Sequence, residues 1–223
     1  MQLNADFTQK VRVVDQDNPW RASPSAGVER KMLDRIGEEV ARATTIVRFA
    51  PNSAFAPHTH DGGEEYIVLE GVFQDEAGDF PVGTYVRNPP TSRHTPKSEP
   101  GATIFVKLWQ FAPEDRTHLR IDMNSLVLKA DPARSGIATG LLFRDATETV
   151  LTERWERDVT HTLSVEGGAE ILVLEGTITE AEQVLGPRDW LRMPPGTRTT
   201  LTAGPNGARI WVKTGHLAQM ITA

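Results

Sequence analysis

Short apolar runs rich in β-branched and aromatic residues recur along this chain, each bounded by glycine or proline. Tyr66 to Glu70, Thr103 to Trp109, Glu170 to Leu174 and Ala208 to Lys213 are four of them. Runs of this length and composition predict strands. One stretch has a competing period: Val28, Met32, Ile36 and Val40 recur every four residues, as on a helix face. Gly37 interrupts that pattern, no capping residue opens it, and it runs directly into the strand-like segment Thr44-Thr45-Ile46-Val47. A hairpin of two strands turning near Ile36-Gly37 is therefore the expectation, and the chain is predicted to be all-β.

The pattern also repeats. Leu69-Glu70-Gly71 recurs as Leu174-Glu175-Gly176, an offset of 105 (176 − 71), and Arg87-Asn88-Pro89-Pro90 recurs at that offset as Arg192-Met193-Pro194-Pro195. Val106-Lys107 and Val212-Lys213 match at 106, one residue having been added in the intervening Gly-Pro loop. Two copies of one antiparallel unit are expected, each a double-sheeted jelly roll, with residues 1–123 forming the first, 124–223 the second, and the join lying around Asn124 to Ser135.

Composition adds limits rather than a function. A chain of 223 residues, 39% hydrophobic and 24% charged, can bury a full core. A formal charge of −6 argues against a nucleic-acid surface, which needs clustered Lys and Arg. Without any cysteine there are no disulfides and no thiolate metal sites. The start, Met1 to Phe7, has no basic stretch followed by an apolar run, and no apolar run reaches membrane-spanning length. A cytoplasmic location with no membrane contact is the expectation, and a homodimer is compatible with it.

Candidate chemistry is concentrated in His58-Thr59-His60-Asp61-Gly62-Gly63-Glu64 and in a later histidine, His94. Residues two apart on a strand point the same way, so His58 and His60 share a face, and the Gly62-Gly63 turn returns Glu64 toward them. His94 follows a predicted strand and a Pro-rich turn able to return it to the same place. A His58, His60, Glu64, His94 shell around one divalent metal is the reading. Glu65 lies on the opposite face from Glu64 by strand alternation and reads as an ion-pair or hinge residue. His118, His161 and His216 stand apart from the cluster.

These residues carry a resemblance. His58 to Glu64 followed by Gly71 fits the first cupin motif, and Gly78-Asp79-Phe80-Pro81-Val82-Gly83 through His94 resembles the second. Trp20 to Phe111, with Asp75-Glu76, Arg87-Asn88-Pro89-Pro90 and Val106-Lys107-Leu108, is similar to the cupin-like domain of the ChrR anti-sigma factors. The resemblance implies a cupin barrel with a zinc held by His58, His60, Glu64 and His94, and the repeat extends this to two tandem cupin barrels. In ChrR, sigma-factor binding belongs to a separate helical domain with cysteine zinc ligands, which this cysteine-free chain cannot supply, so no sigma-factor partner is expected.

In the second copy, His161 is set against His58, Leu163 against His60, Ala169 against Glu64 and Thr199 against His94, leaving one ligand of four and a metal-free barrel as the expectation. Imidazole and carboxylate suit zinc, and also iron, manganese or nickel. Phe55, Tyr66, Phe105 and Trp109 are candidate pocket walls, and Arg48, Arg87 or Arg93 could anchor an anionic ligand. Two functions fit: a zinc-bearing sensor or regulatory binding module like the ChrR domain, or an iron-dependent dioxygenase acting on a β-diketone or related small carbonyl compound.

Overall fold

The computed structural model describes residues 1–38 and 40–219. It is all-β apart from one 3-10 turn at Asp15–Asp17, and consists of two tandem barrels of antiparallel strands. None of its helices is long and apolar enough to cross a membrane, among the described residues.

The first unit comprises Met1–Ala5 and Pro19–Ser125. Its main sheet runs in the order Gln2–Leu3, Val28–Gly37, Ala41–Phe49, Ala102–Leu108, Glu64–Asp75, Thr84–Asn88 and Leu119–Asp122. Val28–Gly37 and Ala41–Phe49 form a hairpin, the helical period notwithstanding. Gly37 fixes its turn: at φ +118 a side chain is disfavoured, and a Cβ there would lie 2.4 Å from the Val40 carbonyl oxygen. Alternation along these strands turns Val47, Phe49, Tyr66, Val68, Ile104 and Val106 inward, forming one apolar cluster.

An extra residue, Leu69, reverses that alternation just ahead of Gly71. The long strand Glu64–Asp75 shifts register against Ala102–Leu108 between Thr103 and Ile104, so the inward set passes from Glu64, Tyr66 and Val68 to Phe73 and Asp75. Gly71 has φ +68, and a Cβ there would lie 1.9 Å from the Gly101 carbonyl oxygen, so only glycine fits.

The second unit comprises Asp6–Asn18 and residues 126–219 of those described. Its order is Lys129–Ala130, Ile137–Arg144, Thr149–Trp155, Thr197–Thr214, Ala169–Glu180, Trp190–Met193 and Val11–Val13. Gly176, at φ +67 with a would-be Cβ 2.1 Å from the Gly207 carbonyl oxygen, repeats the constraint at Gly71. The expected division at residues 123 and 124 needs correction. The chain divides between Ser125 and Leu126, and Asp6–Asn18 belongs with the second unit, where Val11–Val13 pairs with the edge strand Trp190–Met193. An edge strand is covered by main-chain bonding, which any extended segment can supply.

Both units carry a buried charged row on the outer face of the sheet. Glu65 lies opposite Arg87 on one neighbouring strand and Lys107 on the other, and accepts a hydrogen bond of 2.6 Å from the Tyr85 hydroxyl. Glu170, Arg192 and Lys213 occupy the same places in the second unit, with Trp190 Nε1 donating to Glu170 over 3.1 Å. Phe111 stacks on Arg87 and Phe7 on Arg192, with guanidinium-to-ring distances of 4.2 and 3.8 Å.

Candidate metal centre

His58–His60 and Ser92–His94 form a two-stranded ribbon in which His94 faces His58 and Ser92 faces His60. The Gly62-Gly63 turn then brings Glu64, the first residue of the long strand, back to this ribbon. The three imidazoles converge: one ring nitrogen from each lies within 4.8 Å of the others. His60 Nε2 is 2.9 Å from His94 Nε2, and Glu64 Oε2 is 3.4 Å from the first and 3.6 Å from the second. His60, His94 and Glu64 are buried while His58 is exposed.

These distances fit a divalent ion. Two ligand atoms each about 2.1 Å from one ion are about 3.0 Å apart at a right angle and about 3.4 Å apart at the tetrahedral angle, a range that covers the His60 to His94 and His60 to Glu64 separations. Proton positions fit as well. His58 Nδ1 lies 2.9 Å from the Ala56 carbonyl, and His94 Nδ1 lies 3.1 Å from Asp75 Oδ2. A carbonyl and a carboxylate can only accept, so both rings carry their proton on Nδ1 and turn an Nε2 lone pair inward. Asn88 Nδ2 donates to Glu64 Oε2 over 3.0 Å, setting the carboxylate plane. Lone pairs and a carboxylate oxygen thus face one another in a buried space, an arrangement that a cation relieves.

Electrostatics keep His60 ready to coordinate. Burial pushes its imidazole below the ordinary value, with the neighbouring rings of His94 and His58 acting the same way and Glu64 opposing. His94 goes the other way: burial alone would lower it, but the Asp75 hydrogen bond and the charges of Glu64, Asp75 and Glu76 outweigh that and raise it. Glu76, hydrogen-bonded by the Thr95 hydroxyl and amide, is held down at about 2. Tyr66 is raised well above its usual range by burial, then by the charges of Glu64 and Asp75.

The cluster opens on a cavity of about 540 Å³ in the first unit. His58, His60 and Glu64 form part of its wall, and Val28, Val47, Phe49, Ile104, Val106 and Leu108 supply apolar surface. Of the expected pocket residues, Phe55 and Trp109 line it. Three do not. Phe105 lies between the inward Ile104 and Val106 and so faces the other side of the sheet. Tyr66 points inward but is packed into the core against Phe73 and Phe80. Arg48, between the inward Val47 and Phe49, faces outward, pairs with Glu29 at 2.6 Å and stacks on Trp20. Arg87 is also outside, bound to Asp115 at 2.7 Å, while Arg93 lines a second pocket together with His58 and His94.

Sequence reasoning passed over Asp75, Asn88 and Arg30. Asp75 was readable only through the reversal ahead of Gly71, since strict alternation from Glu64 turns it outward. Arg30 was readable from Val28, with which it shares the inward face.

The structural repeat also corrects the ligand alignment. Thr199 pairs with Leu163 as His94 pairs with His58, and Thr197 pairs with Val165 as Ser92 pairs with His60. Leu163 and Val165 therefore stand at His58 and His60, with Gly167-Gly168 at Gly62-Gly63, Ala169 at Glu64 and Thr199 at His94. His161 falls two residues earlier, at the position of Ala56, beside the Trp155 ring.

Residues 8–112 match the family described as the ChrR cupin-like domain. No curated protein sequence matches the chain. Solved structures share its architecture at low identity. A candidate dioxygenase from Nostoc punctiforme is 14% identical over 97% of this chain and 86% of its own, with a TM-score of 0.76. The pirin YhhW from Escherichia coli, solved with nickel(II), is 13% identical over 92% and 98%, with a TM-score of 0.65. Oxalate decarboxylase from Lactobacillus farciminis, in a formate complex, is 9% identical over 95% and 87%, with a TM-score of 0.64. The chain shares the fold of these structures, and its residues 8–112 match the ChrR cupin-like domain.

Proposed function

We propose that this protein binds one divalent metal ion, zinc, through His58, His60, Glu64 and His94, and serves as a regulatory or sensing module that takes a small molecule into the first barrel. The observation that carries this is the convergence of three ring nitrogens within 4.8 Å, with two of the rings held by Nδ1 acceptors. A bound ion supplies Lewis acidity to a ligand in the cavity. His58 and His94 are oriented by Ala56 and Asp75, Glu64 is oriented by Asn88, and the apolar walls limit water. The match to the ChrR cupin-like domain supports the regulatory role, and a fourth protein ligand, Glu64, suits zinc.

The cavity itself favours a second reading, an iron-dependent dioxygenase acting on a β-diketone or related carbonyl compound. A wall that includes three of the four ligands lets a substrate reach the ion. One experiment separates the two. Protein purified without added metal is analysed for zinc, iron, manganese and nickel, then assayed with acetylacetone in an oxygen electrode. Zinc at one equivalent without oxygen uptake supports the module. Iron with substrate-dependent uptake supports the enzyme, and no metal at all refutes both.

A further inference from the structure

Most arginines facing the first barrel or its outer sheet are paired. Arg48 meets Glu29, Arg87 meets Asp115, and Arg35 donates to the Glu38 carbonyl. Arg30 differs. It lines the cavity, half-buried, and no described residue forms a hydrogen bond or ion pair with its guanidinium. The rung it occupies has the exposed Arg21 on one side and continues on the other through Val47, Ile104 and Val68, all apolar. A cation facing such a wall has given up part of its hydration with nothing in the protein to replace it.

The same rung is filled differently in the second barrel. Thr139, Glu153 and Ile210 align there as Arg30, Val47 and Ile104 align in the first. Glu153 is buried, accepts from Arg134 at 2.7 Å and from Trp155 Nε1 at 2.8 Å. The second barrel thus carries a buried carboxylate at the Val47 position, and it meets Arg134, which reaches it from off the rung and also pairs with Asp131. The first has an arginine and, where that carboxylate would be, the valine side chain of Val47.

We infer that the cavity of the first barrel receives an organic carboxylate, whose charged end pairs with Arg30 while its apolar part lies against Val47, Phe49 and Ile104. The inference rests on reading this cavity as a small-molecule site and adds the class of molecule. A guanidinium offers two parallel donors that match a carboxylate, and a pair formed at a partly desolvated wall gains more than one in open water. The charge balance permits it, since Arg30 and Arg35 line the cavity with two carboxylates, Asp61 and Glu64, of which Glu64 is engaged with the histidines.

The test compares hexanoate with its neutral isostere hexanamide by calorimetry, on zinc-loaded and on chelator-stripped protein. Hexanoate should bind at least about tenfold more tightly. Arg30→Gln should bring the two to near equality, and Arg30→Lys should keep part of the preference, with circular dichroism confirming that both variants fold. Arg48→Gln, which removes an equal charge from the outer face, should leave the preference unchanged. Because the pair does not use the ion, the dependence on Arg30 should persist in stripped protein, so a failure to bind zinc would not count against it. Equal affinities in the wild type, no binding of either probe, or a hexanoate preference indifferent to Arg30 would each overturn the inference.

Discussion

The two barrels share a backbone plan and differ in what fills it. At the four positions where the first places His58, His60, Glu64 and His94, the second places Leu163, Val165, Ala169 and Thr199. The first encloses a cavity beside its histidines. In the second, Val165, Ala169, Ile171, Ile178, Leu201 and Ile210 belong to one packed apolar cluster. The glycines that shape the barrels, Gly71 and Gly176, are unchanged because the backbone needs them, whereas a ligand position demands nothing of the backbone beyond alternation. The polar shell is what separates a metal centre from a core.

The largest effect should come from breaking the shell itself. His60 is the ligand that contacts both His94 and Glu64, so His60→Ala removes the centre of the cluster. Equilibrium dialysis with zinc should saturate near one equivalent for the wild type and show no bound ion for the variant. Saturation near two in the wild type would mean that the second barrel binds as well, and the comparison would fail.

Placing the histidine in the other barrel should do the reverse. Val165 is buried in the second core at the position of His60, and Val165→His puts an imidazole among apolar side chains, where Thr199, at the place of His94, is already bonded to Glu180. A loss of about 3 kcal/mol in urea-induced unfolding is expected, from a buried polar group without partners added to disturbed packing. Zinc stoichiometry should stay at one.

How far the sequence anticipated this difference can be judged residue by residue. The strands, the hairpin after Val28 and the clustering of His58, His60 and His94 follow from alternation and from glycine turns, which are local signals. The alignment of His161 with His58 was misled by a local likeness, since His161-Thr162-Leu163 looks like His58-Thr59-His60, while Gly62-Gly63 and Gly167-Gly168 mark the true register. Phe105 and Arg48 were misplaced although alternation with Ile104 and Val47 already turned them outward. The docking of Val11–Val13 on the second unit had no signal to find, because an edge strand is held by main-chain groups that every residue shares.

A third test uses the carboxylate that both barrels keep. Glu180 stands where Asp75 stands, inward after the reversal, and accepts from Thr199 at 2.6 Å as Asp75 does from His94. Two cations also reach it: Lys10 at 2.7 Å, and Arg12. Burial would raise its pKa, but the hydrogen bonds from Lys10, Thr199 and Arg12 outweigh that and hold it at about 2, below the usual 4.5. A folded-state value depressed in this way stabilises the protein above pH 4.5, and the contribution is lost as pH falls toward 2. Glu180→Gln should cost about 2 kcal/mol at pH 7 and much less at pH 3, read from urea midpoints at the two pH values. An equal cost at both would show that the carboxylate charge does not hold the Lys10 and Arg12 segment to its barrel.

The smallest expected effect is at Asp75, where the same position serves the ion rather than the fold. Asp75 accepts the His94 Nδ1 proton and thereby leaves Nε2 free to coordinate. Asp75→Asn weakens that acceptor and removes its charge while preserving shape, so His94 can rotate or take the other tautomer, with Nε2 protonated and closed to the ion. Loss of an orienting partner of this kind typically costs ten- to a hundredfold in metal affinity, and the lower end, about 1.4 kcal/mol, is expected here because His58, His60 and Glu64 remain in place. Competition with a zinc-binding dye measures it at pH 7.5. Asp75→Asn should leave unfolding of the stripped protein nearly unchanged, in contrast to Glu180→Gln, because Asp75 answers one imidazole and Glu180 answers two cations and a hydroxyl. Unchanged zinc affinity in Asp75→Asn would remove Asp75 from the metal centre and leave the Nδ1 tautomer of His94 without its cause.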